Sequence, residues 1–203
     1  IPNALANRDI PVPDLYPEME FFPDFASDNI VDLERGFVNK YIVPDVLNKS
    51  TEPGTGLTVP KNTGLLTNHI CGDDQDVYDL LINHLAYMVQ NRVKTRVAYL
   101  FQGTQGTGKG VWFNFVLAQI FGRDYCADVL QKVFVKEFNL FLESNFCILV
   151  DEVEANFSES NNEITRVLKQ VIADTHISVE GKGVDIRNGR NNANIFFATN
   201  KRN

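Results

Sequence analysis

The chain has 203 residues, 44% of them hydrophobic and 22% charged, which suits a soluble α/β domain with a real core and an N-terminal appendage. No apolar run approaches the roughly 20 residues of a membrane span, and Pro2, Pro11, Pro13 and Pro17 interrupt any signal-peptide pattern at the start. A net charge of −7 excludes a general basic coat for duplex DNA and leaves room for a local basic channel.

Cys71, Cys126 and Cys147 are scattered and odd in number, so they fit neither a zinc site nor a disulfide framework. Cys147 lies in an apolar run and reads as a small core residue. A reducing, cytoplasmic setting is expected, with no membrane association. The chain has no initiator Met and stops just after an expected strand, so we read it as a piece of a longer polypeptide.

Residues 1–64 read as an N-terminal arm and linker. Within them, 1–25 are rich in Pro, Asp and Glu, a helix is expected around Asp28–Tyr41, and 51–64 read as a loop with Pro53, Gly54, Gly56, Pro60 and Gly64. Residues 65–96 form a helical lead-in. Asp73-Asp74 opens an amphipathic helix there, with Val77, Leu80, Leu81, Leu85 and Met88 spaced three and four apart. His84 shares that stripe and reads as a satisfied, partly buried side chain.

From residue 97 to 203 the pattern alternates. Strand 97–101 leads into helix 109–121, and a short helix is expected near Lys136–Glu143. Strand 146–150 follows, then helix Glu163–Ala173 with Ile164, Val167, Leu168 and Val171 on one face. A hairpin at 177–187 turns at Gly181 and Gly183, and strand 195–198 comes last. Strands that are apolar throughout, separated by helices, imply an α/β fold with a mainly parallel central sheet flanked by helices, preceded by a mainly helical N-terminal segment.

The stretch GTQGTGKGVW at 103–112 carries the chemistry. It joins the first strand to the first helix of the alternating part. Gly103, Gly106 and Gly108 allow backbone N–H groups to converge on a large anion. The helix start adds free N–H groups, and Lys109 adds a mobile charge. This is the G-x-x-x-x-G-K arrangement of a phosphate-binding loop. Its expected contacts to a nucleoside triphosphate come from Gly103, Gly106, Thr107, Gly108, Lys109, Gly110 and Val111. Gly110 breaks the rule, because Ser or Thr normally stands there to help hold Mg²⁺.

Strand 146–150 ends in Asp151-Glu152, at the edge where parallel sheets place their ligands. Asp151 is expected to hold Mg²⁺, and Glu152 to orient and deprotonate the attacking water. The last strand ends in Ala198-Thr199-Asn200, where an amide suits a sensor of the γ-phosphate. Lys182 sits at the glycine-flanked hairpin tip, with Arg187 and Arg190 after it. From charge alone, that lysine reads as solvated.

The order GTQGTGKG, CILVDE, ISVEGKGVD, FFATN resembles the superfamily three helicases within the AAA+ ATPases, in particular helicase domains of phage, plasmid and large-virus primase-helicases. The stretch LLINHLAYMVQNRVKTRVAYLFQG is similar to their lead-in, so the likeness covers roughly the last two-thirds of the chain. It implies an AAA+ P-loop core. It makes Lys109 the Walker A lysine, Asp151 and Glu152 the Walker B pair, and Asn200 sensor 1. Lys182 becomes the tip that contacts single-stranded DNA. It further implies ATP with Mg²⁺, a ring of six copies, and a primase or polymerase domain in the same polypeptide. Superfamily members also place an arginine finger beyond sensor 1, and Arg202 stands too close to Asn200 to be it. Two other readings compete: a DNA-loading or oligomerisation module that binds ATP without unwinding, and a P-loop nucleotide kinase. The kinase loop also carries G-K-G, but with Thr where this chain has Val111.

Overall fold

The computed structural model describes residues 19–24, 31–32, 37–48, 59–134, 141–153, 162–181 and 184–200. Three short strands, β1 (Met19–Glu20), β2 (Val31–Asp32) and β3 (Phe37–Asn39), form a small sheet in the order β1-β3-β2. Three helices follow: α1 (Asp45–Asn48), α2 (Lys61–Ile70) and α3 (Gln75–Asn91). Among the described residues the first part of the chain is mostly helical, with a small sheet added, and the helix expected around 28–41 does not form, because 31–32 and 37–39 are strands. Asn39 explains why. Its buried amide accepts from Phe22 N and Tyr41 N, each at 3.0 Å, and donates to Phe22 O at 3.0 Å. A partner 17 residues away holds the backbone extended.

The loop expected over 51–64 ends earlier than its glycines imply. Pro60 caps α2 with φ −53°, and Gly64 lies inside the helix, its N–H bonded to Pro60 O. The capping expected at Asp74 is present: its carboxylate accepts from Asp76 N and Val77 N at 2.9 and 3.2 Å. Of the expected α3 stripe, Leu81, Leu85 and Met88 are buried, whereas Val77 and Leu80 face out. His84 is partly buried as read, its Nε2 3.2 Å from Thr95 Oγ1.

The alternating part builds a four-stranded parallel sheet from β4 (Tyr99–Gln102), β5 (Cys126–Leu130), β6 (Cys147–Asp151) and β9 (Asn194–Thr199). The order is β4-β9-β6-β5. Helix α4 runs over 109–121, with a π turn at Phe113–Leu117 between the α-helical turns Lys109–Trp112 and Ala118–Phe121. Helix α5 (Gln131–Phe134) precedes the short helix expected near Lys136–Glu143, and α6 (Phe141–Ser144) overlaps the end of it; 135–140 lie outside the described residues. Helix α7 (Asn162–Ala173) leads into an antiparallel hairpin of β7 (His176–Gly181) and β8 (Val184–Arg190).

Apolar runs in β6 and β9 bury side chains on both faces. Cys147, Leu149, Phe196 and Ala198 join Leu81, Met88, Trp112, Phe113 and Phe121 on one side. Ile148, Val150, Ile195 and Phe197 join Leu168, Val171, Ile177 and Val179 on the other. The first side is an aromatic stack: Tyr99 and Phe101 lie parallel to Phe196, with Trp112 edge-on to Phe101. Trp112 Nε1 donates to Thr67 Oγ1 at 3.0 Å, which fixes α2 against α4. Among the described residues no helix is long and apolar enough to cross a membrane.

Candidate functional site at the glycine loop

Strand β4 delivers the chain to Gly103, whose N–H bonds Thr199 O at 3.2 Å, so the loop leaves the sheet beside the end of β9. Gly106 and Gly108 have φ +83° and +88°. Those left-handed values suit glycine and turn the chain sharply into α4. A Cβ at Gly108 would lie 2.9 Å from Leu66 Cδ1, so α2 closes over the loop there. No side chain caps α4 at Gly108, and its first N–H groups stay uncommitted to a capping oxygen.

Lys109 is 8% exposed, and its ammonium is turned back into the loop. Nζ donates to Gly103 O at 2.9 Å, Thr104 O at 3.1 Å and Thr107 Oγ1 at 3.4 Å. A fourth bond, at 3.1 Å, goes to Oδ1 of Asn200 just beyond β9. Burial lowers the Lys109 pKa, and the nearby Asp151 charge works against that shift. The loop, Lys109 and Asn200 are thus in direct contact, and Asp151 lies within electrostatic reach on the adjacent strand.

Asp151 Oδ1 accepts from Glu152 N at 2.7 Å. Glu152 is exposed, with φ +57°, an uncommon conformation outside glycine. The next residue returns to the sheet, Val153 N bonding Ala198 O at 3.0 Å. No hydrogen bond joins the Glu152 carboxylate to Lys109 or Asn200. Gly110 faces open space, with nothing within 4 Å of a Cβ built there, and Val111 is 52% exposed. Lys182 and Arg202 lie outside the described residues.

The two arginines after the hairpin tip are not free charges. Arg187 grips Glu143 with both guanidinium nitrogens, at 2.8 and 2.6 Å. Arg190 bonds Asp24 at 2.9 Å and lies 4.5 Å over the Phe22 ring.

Sequence reading missed Asn114 and Asp128. Asn114 Nδ2 donates to Gly110 O at 2.9 Å and to Asp128 Oδ2 at 3.4 Å, linking α4 to β5. Loss of solvation raises the Asp128 pKa, the Asn114 bond lowers it, and the Asp151 charge raises it further. Asp128 lies in β5, a strand that the sequence reading did not include, so its place beside the acidic strand end became visible only in the sheet.

Over 122 residues the chain is 29% identical to a DNA primase-polymerase of Nitratiruptor phage NrS-1, spanning 60% of this chain and 17% of that protein. An apo structure of the NrS-1 C-terminal region superposes with a TM-score of 0.72 at 22% identity, covering 89% of this chain and 41% of the solved one. Another, of residues 305–718, gives 0.71 at 23% identity, covering 81% and 38%. At that identity the likeness is one of fold. The chain spans under half the length of each of these relatives. Residues 101–203, which hold the loop, the acidic strand end and the hairpin, match the model of a family of unknown function, DUF5906, and the chain belongs to that family.

Proposed function

We propose that this chain is the ATP-binding and ATP-hydrolysing part of a superfamily three helicase or translocase, an AAA+ P-loop ATPase acting on single-stranded DNA in phage replication. The observation that carries the reading is the buried Lys109 ammonium, bonded only to neutral oxygens and in contact with Asn200 at the C-terminal edge of a parallel sheet. Carbonyl and hydroxyl oxygens stabilise an ammonium without neutralising it, so its charge stays available to an anion. The β4-β9-β6 order supports the same reading, because it sets the Asn200 strand between the glycine loop and Asp151.

Each residue then has a task. Lys109 binds the terminal phosphates, with loop N–H groups around them. An ammonium can only donate, so the Asn200 atom facing it is the oxygen. That leaves Nδ2 of Asn200 to donate toward the γ-phosphate. Asp151 is the carboxylate fit to hold Mg²⁺, and the open space at Gly110 is where a hydroxyl would otherwise reach it. Mg²⁺ supplies neutralisation of charge on the phosphate oxygens. Glu152 takes the proton of the attacking water. Lys182 contacts the strand. Copies of the chain assemble into a ring, six in the superfamily pattern, in which a neighbour supplies an arginine, and a primase or polymerase domain accompanies the motor.

One observation favours a second reading. With no hydroxyl at Gly110, the chain is also suited to a module that binds ATP to load or assemble on DNA without unwinding it. Turnover separates the two. ATP hydrolysis is measured with and without oligo(dT), on the chain and on versions continued past Asn203. We expect turnover stimulated by the oligonucleotide, and Glu152→Gln to bind ATP while losing about 100-fold or more of that turnover. Unchanged turnover in Glu152→Gln would remove it as the base. ATP binding with no turnover in any version would favour the loading module.

A further inference from the structure

A cavity of about 360 Å³ opens between the small N-terminal sheet and the base of the β7–β8 hairpin. It lies apart from the glycine loop and shares no residue with it. Its walls are fixed by the two ion pairs already described. Arg187 is forked on Glu143, and Arg190 is held by Asp24 and stacked over Phe22. Gly189 forms the backbone between them, and a Cβ there would collide with Glu143 Oε1 and Val179. The two ion pairs and Gly189 thus shape the cavity where a ligand would enter.

The lining combines three chemistries. Phe22 with the Arg190 guanidinium gives a planar platform. Lys40, Arg187 and Arg190 meet Glu20 and Glu143 in the lining, and Asp24 behind Arg190 makes cations and carboxylates equal in number. With Arg187 on Glu143 and Arg190 on Asp24, Lys40 and Glu20 are the charges left in the lining, and Lys40 is the one that an anion can use. Lys40 is exposed and makes no salt bridge among the described residues. Asn188 adds an amide that can both donate and accept. A ligand that matches all three has a flat aromatic part, a polar edge and a negative charge, and the volume lies in the range of small-ligand pockets.

We propose that this cavity binds one nucleotide unit, with the base against the Phe22–Arg190 platform and the phosphate toward Lys40. Stacking on an aromatic or guanidinium plane and a cation for the backbone are the two elements of sequence-tolerant single-strand binding. The site would hold a strand at the base of the β7–β8 hairpin. The inference rests on the single-strand reading only in expecting the nucleotide to belong to a strand.

The test uses fluorescence anisotropy of labelled oligo(dT) on the chain, with dTMP as competitor. The variants are Lys40→Glu, Asn188→Ala and the conservative Lys40→Arg, each checked for an unchanged melting temperature. Lys40→Glu is expected to weaken oligo(dT) binding about fivefold or more and to lower the salt slope by about 0.7 or more. Asn188→Ala should weaken it less, and Lys40→Arg should restore it. If dTMP competes with the same sensitivity to Lys40, the site takes a free nucleotide; if only the oligonucleotide shows it, the site takes a strand. Either result supports the proposal. Binding of both probes within about twofold of the parent in Lys40→Glu and Asn188→Ala would overturn it. Lys109→Ala must leave this binding intact, and Lys40→Glu must leave ATP binding intact, so each reading can fail alone.

Discussion

Two lysines in this molecule give up much of their solvent, and they do so in different surroundings. Lys94 Nζ donates to Val171 O at 2.8 Å and Ala193 O at 2.7 Å. Those carbonyls end α7 and precede β9. Burial pushes its pKa down to about 8, with the Arg96 charge adding to the shift and Asp174 opposing it. Lys109 also bonds only neutral oxygens, but three of its four partners lie in a glycine loop and the fourth is a side chain at the sheet edge. The Asp151 charge faces it from the neighbouring strand. Lys94 joins rigid elements to each other. Lys109 is held by a segment whose glycines can rearrange, and its bonds can be exchanged for bonds to an anion. A buried cation among carbonyls is thus no functional signature by itself; what holds the carbonyls decides.

The comparison breaks first at Lys109. Lys109→Ala should cost about 100-fold or more in ATP affinity, because charge-assisted bonds to phosphate are lost in a partly buried site. Its stability should change little, since the loop carbonyls are near solvent. Calorimetric titration with ATP and a denaturant melt check both. Normal ATP affinity would sink the assignment of the loop, and a large stability loss would make Lys109 a second Lys94.

Lys94→Met should give the opposite pair of results. It leaves Ala193 O without this donor, whereas Val171 O keeps its bond from Asn191 Nδ2. The loss is about 1–3 kcal/mol by urea unfolding, with ATP affinity unchanged. The pH dependence sharpens this. The folded pKa of Lys94 is about 8 and its ordinary value is 10.5. Between those values the unfolded chain binds more protons, so this group makes stability rise with pH. Below that window the buried charge costs stability in full. The raised pKa values of Cys71 and Cys147, caused by burial, act in the other direction as pH climbs. The informative quantity is therefore parent minus variant, which should grow across the window. A flat difference would show that the carbonyl bonds offset burial and that the folded state does not lower this pKa.

Much of the fold and part of this contrast were legible in the sequence. The run Cys147–Val150 followed by Asp151 announces a buried strand with an acidic end, and Asp74 before α3 announces a cap. Apolar strands alternating with helices announce the parallel sheet, whereas the order β4-β9-β6-β5 and the strand β5 itself became visible only in the structure. Lys94 was not legible, because its acceptors lie 77 and 99 residues away. The partners of Arg187 and Arg190 were not legible for a similar reason: Glu143 is 44 residues off and Asp24 is 166. Asn39 overrode a helical pattern through Phe22, a contact that local spacing does not report. Local chemistry is readable from spacing, whereas pairing across the chain becomes visible only once the sheet is assembled.

The smallest effect concerns Gly110, which separates the Lys109 surroundings from an ordinary phosphate-binding loop. Its φ is not in the left-handed region, and nothing lies within 4 Å of an added Cβ. A serine fits there without strain, and helix propensity favours it over glycine by a few tenths of a kcal/mol. Asn114 bonds the Gly110 carbonyl, not its Cα, so that link survives. Gly110→Ser should therefore raise stability slightly and tighten Mg²⁺-dependent ATP binding about threefold to tenfold, the worth of one added oxygen ligand or charge-assisted bond. Titrating Mg²⁺ at fixed ATP reads this directly. Tighter Mg²⁺ binding together with faster turnover would mean that the missing hydroxyl limits an ordinary motor. Tighter binding with slower turnover would mean that weak metal binding is what lets this site let go, and that glycine here sets the pace of the cycle.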